Sequence, residues 1–315
     1  MTPTIALCIP AYNAAWCLPR LLASAHAQES PFDEILVYND CSRDDTALVA
    51  KKFGATVVSG EVNVGCSAGK NALIEYVKSE WIHFHDADDL LLSNFTRLAH
   101  TWITRREQCP DVVLFDYEYR DNETNELIVK SNFSPEQLEA DPVRYAILNQ
   151  INPFCGLYRR SKLEEVGCYD TDPEILFNED VAFHCKLALA GFSFGVEKEV
   201  SIVNYRIGGS MSQANQHKCM LAHCAVMRRI GAVAGTRYPE EIAKRFWGAA
   251  TSLATFKDWV NVDRALDEAS QLYRGVPEGF SSSFSWLCRL CGCKRAFRIR
   301  ENSIRILKPH LRGAW

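Results

Sequence analysis

The sequence predicts an α/β fold: a mostly parallel central sheet followed by a C-terminal helical appendage. Short β-branched or aromatic runs alternate with helical patterns over the first 115 residues, and that rhythm breaks afterwards. From about 214 to 274, apolar positions recur at helical spacing with no strand-like run, as in EEIAKRFWGAATSLATFKDWV. Strands separated by helices of about 10–15 residues imply βαβ units with right-handed crossovers.

The elements follow in order. Residues 4–9, TIALCI, read as a strand, 14–28 as a helix opened by Asn13, and 34–38, EILVY, as a strand. A helix is expected at 44–53, a strand at 55–58, a helix at 66–78, a strand at 81–85, a helix at 92–107 and a strand at 111–115. Beyond them, DNETNE predicts a hairpin turn, 155–158 and 193–204 predict strands, and 179–190 predicts a helix ended by Gly191. The stretch RGVPEGFSSSFS, 274–285, reads as a linker. The chain therefore divides into 1–213, a helical appendage at 214–274, and a linker with a basic tail at 275–315.

With 315 residues, 47% hydrophobic and 23% charged, the composition fits a folded domain and argues against disorder. No window supplies the 18 or so uncharged apolar residues of a spanning helix. Met1 leads directly into a strand-like segment without a basic leader, so a cytoplasmic chain is expected, with the option of peripheral attachment at the inner membrane. The thirteen cysteines are odd in number and several lie in apolar periodic segments, which favours buried thiols over a disulfide framework. Cys288, Cys291 and Cys293 spell C-x₂-C-x-C, but no second pair follows at finger spacing, so zinc is not expected there.

Charge is uneven. From Cys288 onward, eight basic residues face Glu301 alone, giving +7 and leaving −11 for residues 1–287. The tail's cations interleave with Trp286, Leu290, Phe297, Ile299, Ile304 and Ile306. Such a segment can lie on an anionic membrane, track a nucleic-acid backbone, or pack as a solvated helix on the acidic body.

Four strand ends carry the chemistry: they run into PAYNA, NDCSRDDT, GEVNVGCSAGKN and DADD. In a parallel sheet these ends lie side by side and should converge on one cleft. Asp86 and Asp88, at i and i+2, can supply hard oxygen ligands to Mg²⁺ or Mn²⁺, and Asp89 is expected to cap the following helix. Asp40, at a strand end, can accept a hydrogen bond from a base or ribose. Gly65 and Gly69 allow close backbone approach, and Lys70 beside a helix N-terminus suits phosphate, although an exposed surface lysine is the plainer reading.

Taken in order, CIPAYNAAWCLPRLLASAHAQ, ILVYNDCSRDDT, NVGCSAGKNALIEYVKSEWIHFHDADDLL, GLYRRSKLEEVGCYD, NEDVAFHCKLALAGF and VNYRIGGSMS resemble the segments that define the family 2 glycosyltransferases. That resemblance spans roughly residues 4–215 and implies the GT-A fold, Rossmann-like and dependent on a nucleotide-diphosphate sugar. It implies that Pro10, Ala11 and Tyr12 line the base pocket, that Asp40 contacts the base, and that Lys70 lies near the nucleotide or its phosphates. Asp86 and Asp88 would form the DxD metal and diphosphate site, and Asp180, with Glu179 beside it, the general base of an inverting displacement.

The function expected is metal-assisted transfer of a sugar, from a UDP-sugar donor, to an acceptor hydroxyl on a cell-surface or lipid-linked glycan. A hydroxylated base in DNA is the alternative acceptor, and a nucleotide-sugar-binding protein without turnover is the alternative class. A sugar nucleotidyltransferase would carry a glycine-rich basic loop after the first strand, which PAYNAAW is not. Two departures from the family stand out: no histidine lies between Tyr205 and Ser212, where many relatives have one for the metal, and His85 precedes Asp86 where an apolar residue is commoner. His217 is expected on the next helix.

Overall fold

A computed structural model describes residues 2–105, 109–208 and 214–312. It falls into two compact units: Met1–Ala146, Gln150–Thr171 and Phe183–Ser210 form the first, and Ile147–Asn149, Asp172–Ala182 and Met211–Trp315 the second.

The first unit is built on a nine-stranded mixed sheet. Its N-terminal half is parallel throughout: β1 (Ile5–Ala11) pairs with β2 (Glu34–Asn39) and β4 (Trp81–Phe84), and β2 pairs with β3 (Thr56–Ser59). Helices α1 (Leu18–His26), α2 (Thr46–Lys52) and α3 (Cys66–Ile74) make the crossovers. A central strand covered on both faces should be apolar at every position rather than at alternate ones. In β1, Ile5 through Ile9 are all fully buried.

Beyond β4 the sheet turns mixed. The next strands are β5 (Leu90–Leu91), β6 (Val112–Asp121), β7 (Leu127–Lys130), β8 (Gly156–Arg159) and β9 (Phe194–Arg206). The spatial order is β3-β2-β1-β4-β8-β6-β9-β5, with β7 paired to β6. β8 runs antiparallel to β4 and β6, while β6 and β9 are parallel. The hairpin expected at DNETNE is β6–β7. Helices α4 (Phe95–Ile103), α5 (Pro135–Ala140), α6 (Pro142–Leu148) and α7 (Arg160–Val166) fill the connections, and α8 (Glu179–Leu189) ends at Gly191 with φ of 83°.

Two local expectations change. LLL after DADD was expected to lead into a helix, but Leu90 and Leu91 form a short strand against Val203 and Ile202. The helix begins at Phe95, after Asn94, and Asp89 does not cap it.

The second unit is helical: α9 (Gln216–Ala234), α10 (Pro239–Thr255), α11 (Trp259–Leu272), α12 (Ser282–Cys291) and α13 (Cys293–Leu307). Pro239 at the first helical position and the Asp258 side chain accepting from Asn261 N–H mark helix starts. His217 lies on α9 and pairs with Asp258 Oδ2 at 2.8 Å. All thirteen cysteines are free thiols. Among the described residues no helix is long and apolar enough to cross a membrane.

Candidate active site

The carboxyl ends of β1, β2 and β4 meet through backbone hydrogen bonds. Parallel register sets Pro10 beside Tyr38 and Ala11 beside Asn39. Asp40 N–H donates to the Ala11 carbonyl at 2.9 Å, and His85 N–H to that of Cys8 at 3.0 Å. Ala11 is buried, whereas Tyr12 at the strand end is 49% exposed.

Asp40 is buried, and both of its carboxylate oxygens hold the loop that follows β3. Oδ1 accepts from Val64 N–H at 2.7 Å and Oδ2 from Gly65 N–H at 2.9 Å. Asp40 thereby fixes where α3 begins. Gly65 caps that helix with φ of 86°, a left-handed conformation that glycine adopts without steric cost. Gly69 has a different reason to be glycine: a Cβ there would stand 2.7 Å from the Tyr38 ring. Its lack of a side chain seats Tyr38 rather than a phosphate.

Lys70, one turn into α3, is 4% exposed, which removes the surface-lysine reading. Its ammonium stands 3.9 Å from Asp86 Oδ1 and 5.2 Å from the Tyr169 ring centroid. Asn71 anchors the same helix by exchanging two hydrogen bonds with the Tyr169 backbone.

The three aspartates have separate environments. Asp86 is partly exposed and faces Lys70. The Asp88 carboxyl is pushed up to about 6, first by burial and then by the neighbouring Asp86 charge. Asp89 is buried, and its carboxyl is raised well above the usual range by burial, then by Asp86 and Asp88. It accepts from Asn204 Nδ2 at 2.7 Å and from Tyr205 N–H at 2.9 Å, tying the turn to β9.

Sequence reasoning missed Arg20. This α1 residue donates from Nη2 to the Asp88 carbonyl oxygen and stacks on the Tyr205 ring, 4.1 Å from its centroid. A lone arginine on an amphipathic helix reads as solvent-facing, so no signal marked it.

A buried imidazole pair lies behind the turn. The Gly156 carbonyl can only accept, so His83 Nδ1 donates to it at 2.8 Å. His83 Nε2 is then an acceptor, and His85 Nδ1 donates to it at 3.0 Å. His85 is left with a bare Nε2 that is buried and has no hydrogen-bond partner among the described residues. Burial lowers both rings, His83 to about 4; for His85 the His83 and Lys70 charges add to the effect.

Glu179 and Asp180 open α8 and fall in the second unit. Acidic residues suit a helix N-terminus. The buried Glu179 Oε2 has no hydrogen-bond partner among the described residues, and Asn178 is held by His223 Nδ1 at 2.9 Å. Of the segment between Tyr205 and Ser212, in which no histidine occurs, residues 209–212 lie outside the described residues. Among the described residues no group of three or more His, Cys, Asp or Glu side chains is arranged to hold a metal by itself. The Asp86–Asp88 pair still fits Mg²⁺ or Mn²⁺, which takes one or two carboxylates and completes its shell with phosphate and water.

Comparison with known proteins bears on the family and the fold. The sequence profile described as Glycosyl transferase family 2 matches residues 6–167. A glycosyltransferase of Rickettsia typhi is 26% identical over 185 residues, 58% of this chain and 58% of that protein. The chain thus spans somewhat under two thirds of the curated relatives it matches. TarS of S. aureus in complex with UDP-GlcNAc superposes with a TM-score of 0.69 at 18% identity, covering 96% of this chain and 92% of that one. A mannosyltransferase of Pyrobaculum calidifontis in complex with GDP-Man and Mn²⁺ gives 0.55 at 16% identity, covering 86% and 87%. Those likenesses establish a GT-A fold.

Proposed function

The chain belongs to glycosyl transferase family 2, and on that premise we propose that it transfers a sugar from a UDP-sugar to an acceptor hydroxyl with inversion. The observation that carries this reading is the juxtaposition of Lys70 with Asp86, beside Asp88, where three βαβ crossovers end. TarS, bound to UDP-GlcNAc, supports a uridine donor, and the mannosyltransferase bound to GDP-Man and Mn²⁺ supports a divalent cofactor.

Each residue then has a task. Tyr12, with Pro10 beside it, offers an open wall for the base, and the buried Ala11 backs that wall. Asp40 holds Gly65 so that the first amides of α3, which lack intrahelical partners, face the diphosphate. Lys70 adds a fixed positive charge. A Mg²⁺ or Mn²⁺ held by Asp86 and Asp88 would offset charge on the departing diphosphate. Asp180, with Glu179 beside it, takes the proton of the acceptor hydroxyl as that oxygen attacks the anomeric carbon from the opposite face. The C–O bond to the acceptor forms as the bond to the diphosphate breaks, so no enzyme nucleophile is required.

Residues 1–213 are read as the donor-binding and catalytic region, 214–274 as a helical appendage, and the acceptor as a cell-surface or lipid-linked glycan. A thermal-shift screen of nucleotide sugars with and without Mn²⁺ tests donor and metal together. Stabilisation by a UDP-sugar that grows with Mn²⁺ is expected; no shift with any nucleotide sugar contradicts the reading.

A further inference from the structure

We propose that the hairpin of α12 and α13 is a docking surface for an anionic lipid bilayer. The sequence presents the tail as a block of positive charge, and four of its eight cations are met by three carboxylates. Lys294 Nζ donates to Asp267 at 2.7 Å, and Arg298 grips Asp263 through two bonds of 2.8 Å. Arg312 grips the buried Glu301 at 2.8 and 2.9 Å, and Arg305 reaches the same carboxylate at 2.9 Å. Arg289, Arg295, Arg300 and Lys308 form no ion pair among the described residues.

Arg300 lies over the inward-facing Phe284 ring, 5.6 Å from its centroid, whereas Arg289, Arg295 and Lys308 are exposed and lie among apolar side chains turned to solvent. On α12, Phe284 and Cys288 face inward, whereas Trp286 (63% exposed), Arg289 and Leu290 (62%) share the outer face at i, i+3 and i+4. On α13, Ala296, Phe297 and Glu301 are buried, while Arg295, Ile299 and Ile306 (77%) share the outer face, spaced by four and by seven residues. Leu307 and Leu311 extend the apolar edge. Large aliphatic side chains held in water on the outer face of a helix have an energetic cost, and this hairpin carries them between unpaired arginines.

A bilayer interface satisfies both halves of that pattern: phosphates for Arg289, Arg295 and Lys308, and the headgroup–acyl boundary for Trp286, Leu290 and Ile306. Tryptophan is favoured at that depth. Nucleic acid would use the cations and stack on Trp286 but leave the leucines and isoleucines in water. A second copy would bring like charges together. The bilayer is the occupant that uses every outward residue named, and this holds whether or not the donor reading does.

The test uses the full chain in vesicle co-sedimentation at about 0.1 M salt, where surface charges act over roughly 10 Å. Phosphatidylcholine vesicles with roughly 30% phosphatidylglycerol should bind the protein at least ~10-fold more tightly than phosphatidylcholine alone. The pairs Trp286→Ala/Leu290→Ala and Arg289→Ala/Arg295→Ala should each lower that partition by ~10-fold or more without moving Tm. If the first pair lowers Tm, Ile306→Ser at the exposed end of α13 serves as the second apolar variant. Equal partition to both vesicles, unchanged binding by the variants, or salt-sensitive binding to duplex DNA with none to vesicles would overturn the proposal.

Discussion

Asp89 Oδ1 accepts a hydrogen bond from the Tyr205 amide at 2.9 Å, joining the acidic turn to a strand 116 residues later. The other oxygen binds Asn204, and the carboxyl is buried. Asp89 is therefore a structural member of DADD, and Asp86 and Asp88 are the two that the proposed function assigns to ligand. Asp89→Ala removes the acceptor from two donors, one a buried-side amide, at a cost of about 2–4 kcal/mol. Denaturant unfolding should show that loss, whereas unchanged stability would return Asp89 to the ligand set.

Asp88→Asn should stabilise the metal-free protein while inactivating it. The folded Asp88 carboxyl titrates at about 6, above an ordinary aspartate near ~3.9. Its favourable contribution is thus fully present below the ordinary value and is lost as pH rises through about 6. At pH 7.5 the wild type carries a buried carboxylate crowded by Asp86. Removing that charge should raise unfolding stability by up to about 2 kcal/mol. A metal-free Tm equal to or below wild type would mean that Asp88 is not crowded.

The imidazole pair should make the protein acid-sensitive. Burial holds His83 at about 4, below its ordinary value near ~6.5. Its neutral form supports the fold above the ordinary value, and that support is lost as pH falls from there toward about 4, with a slope approaching ~1.4 kcal/mol per pH unit. His83→Gln keeps a hydrogen-bonding side chain without the titration, so its stability should vary less with pH over that range. Parallel pH profiles for the two proteins would exclude His83 as the source.

Asp40→Ala should weaken donor binding and loosen the segment before α3 together. The variant loses bonds to the Val64 and Gly65 amides, each worth about 1.5–3 kcal/mol when one partner is charged. Faster hydrogen exchange across residues 60–70 with a raised KM for donor is expected. A raised KM with unchanged exchange would indicate that Asp40 contacts the base alone.

The parallel half of the sheet was legible because its signals are local: β1, β2 and β4 are short apolar runs that each end in polar sequence. The convergence of Asp40, Gly65, Lys70 and Asp86 followed from the order of strands and crossovers. What sequence did not reveal depends on distant pairing. Leu90–Leu91 becomes a strand only because Ile202 and Val203 lie beside it, and Asp89 leaves the helix cap for Asn204 and Tyr205 for the same reason. The tail was visible as charge, but only its geometry separates arginines bound to Asp263 and Glu301 from those facing solvent.

The most direct test is release of nucleotide from a UDP-sugar in the presence of Mn²⁺, with wild type and Asp88→Asn compared at equal concentration. If Asp86 and Asp88 act on the diphosphate, wild type should release UDP and the variant should be slower by about 10²-fold or more, as expected when a group stabilising developing charge is lost. Equal release by the two proteins would contradict the proposed role of the acidic turn.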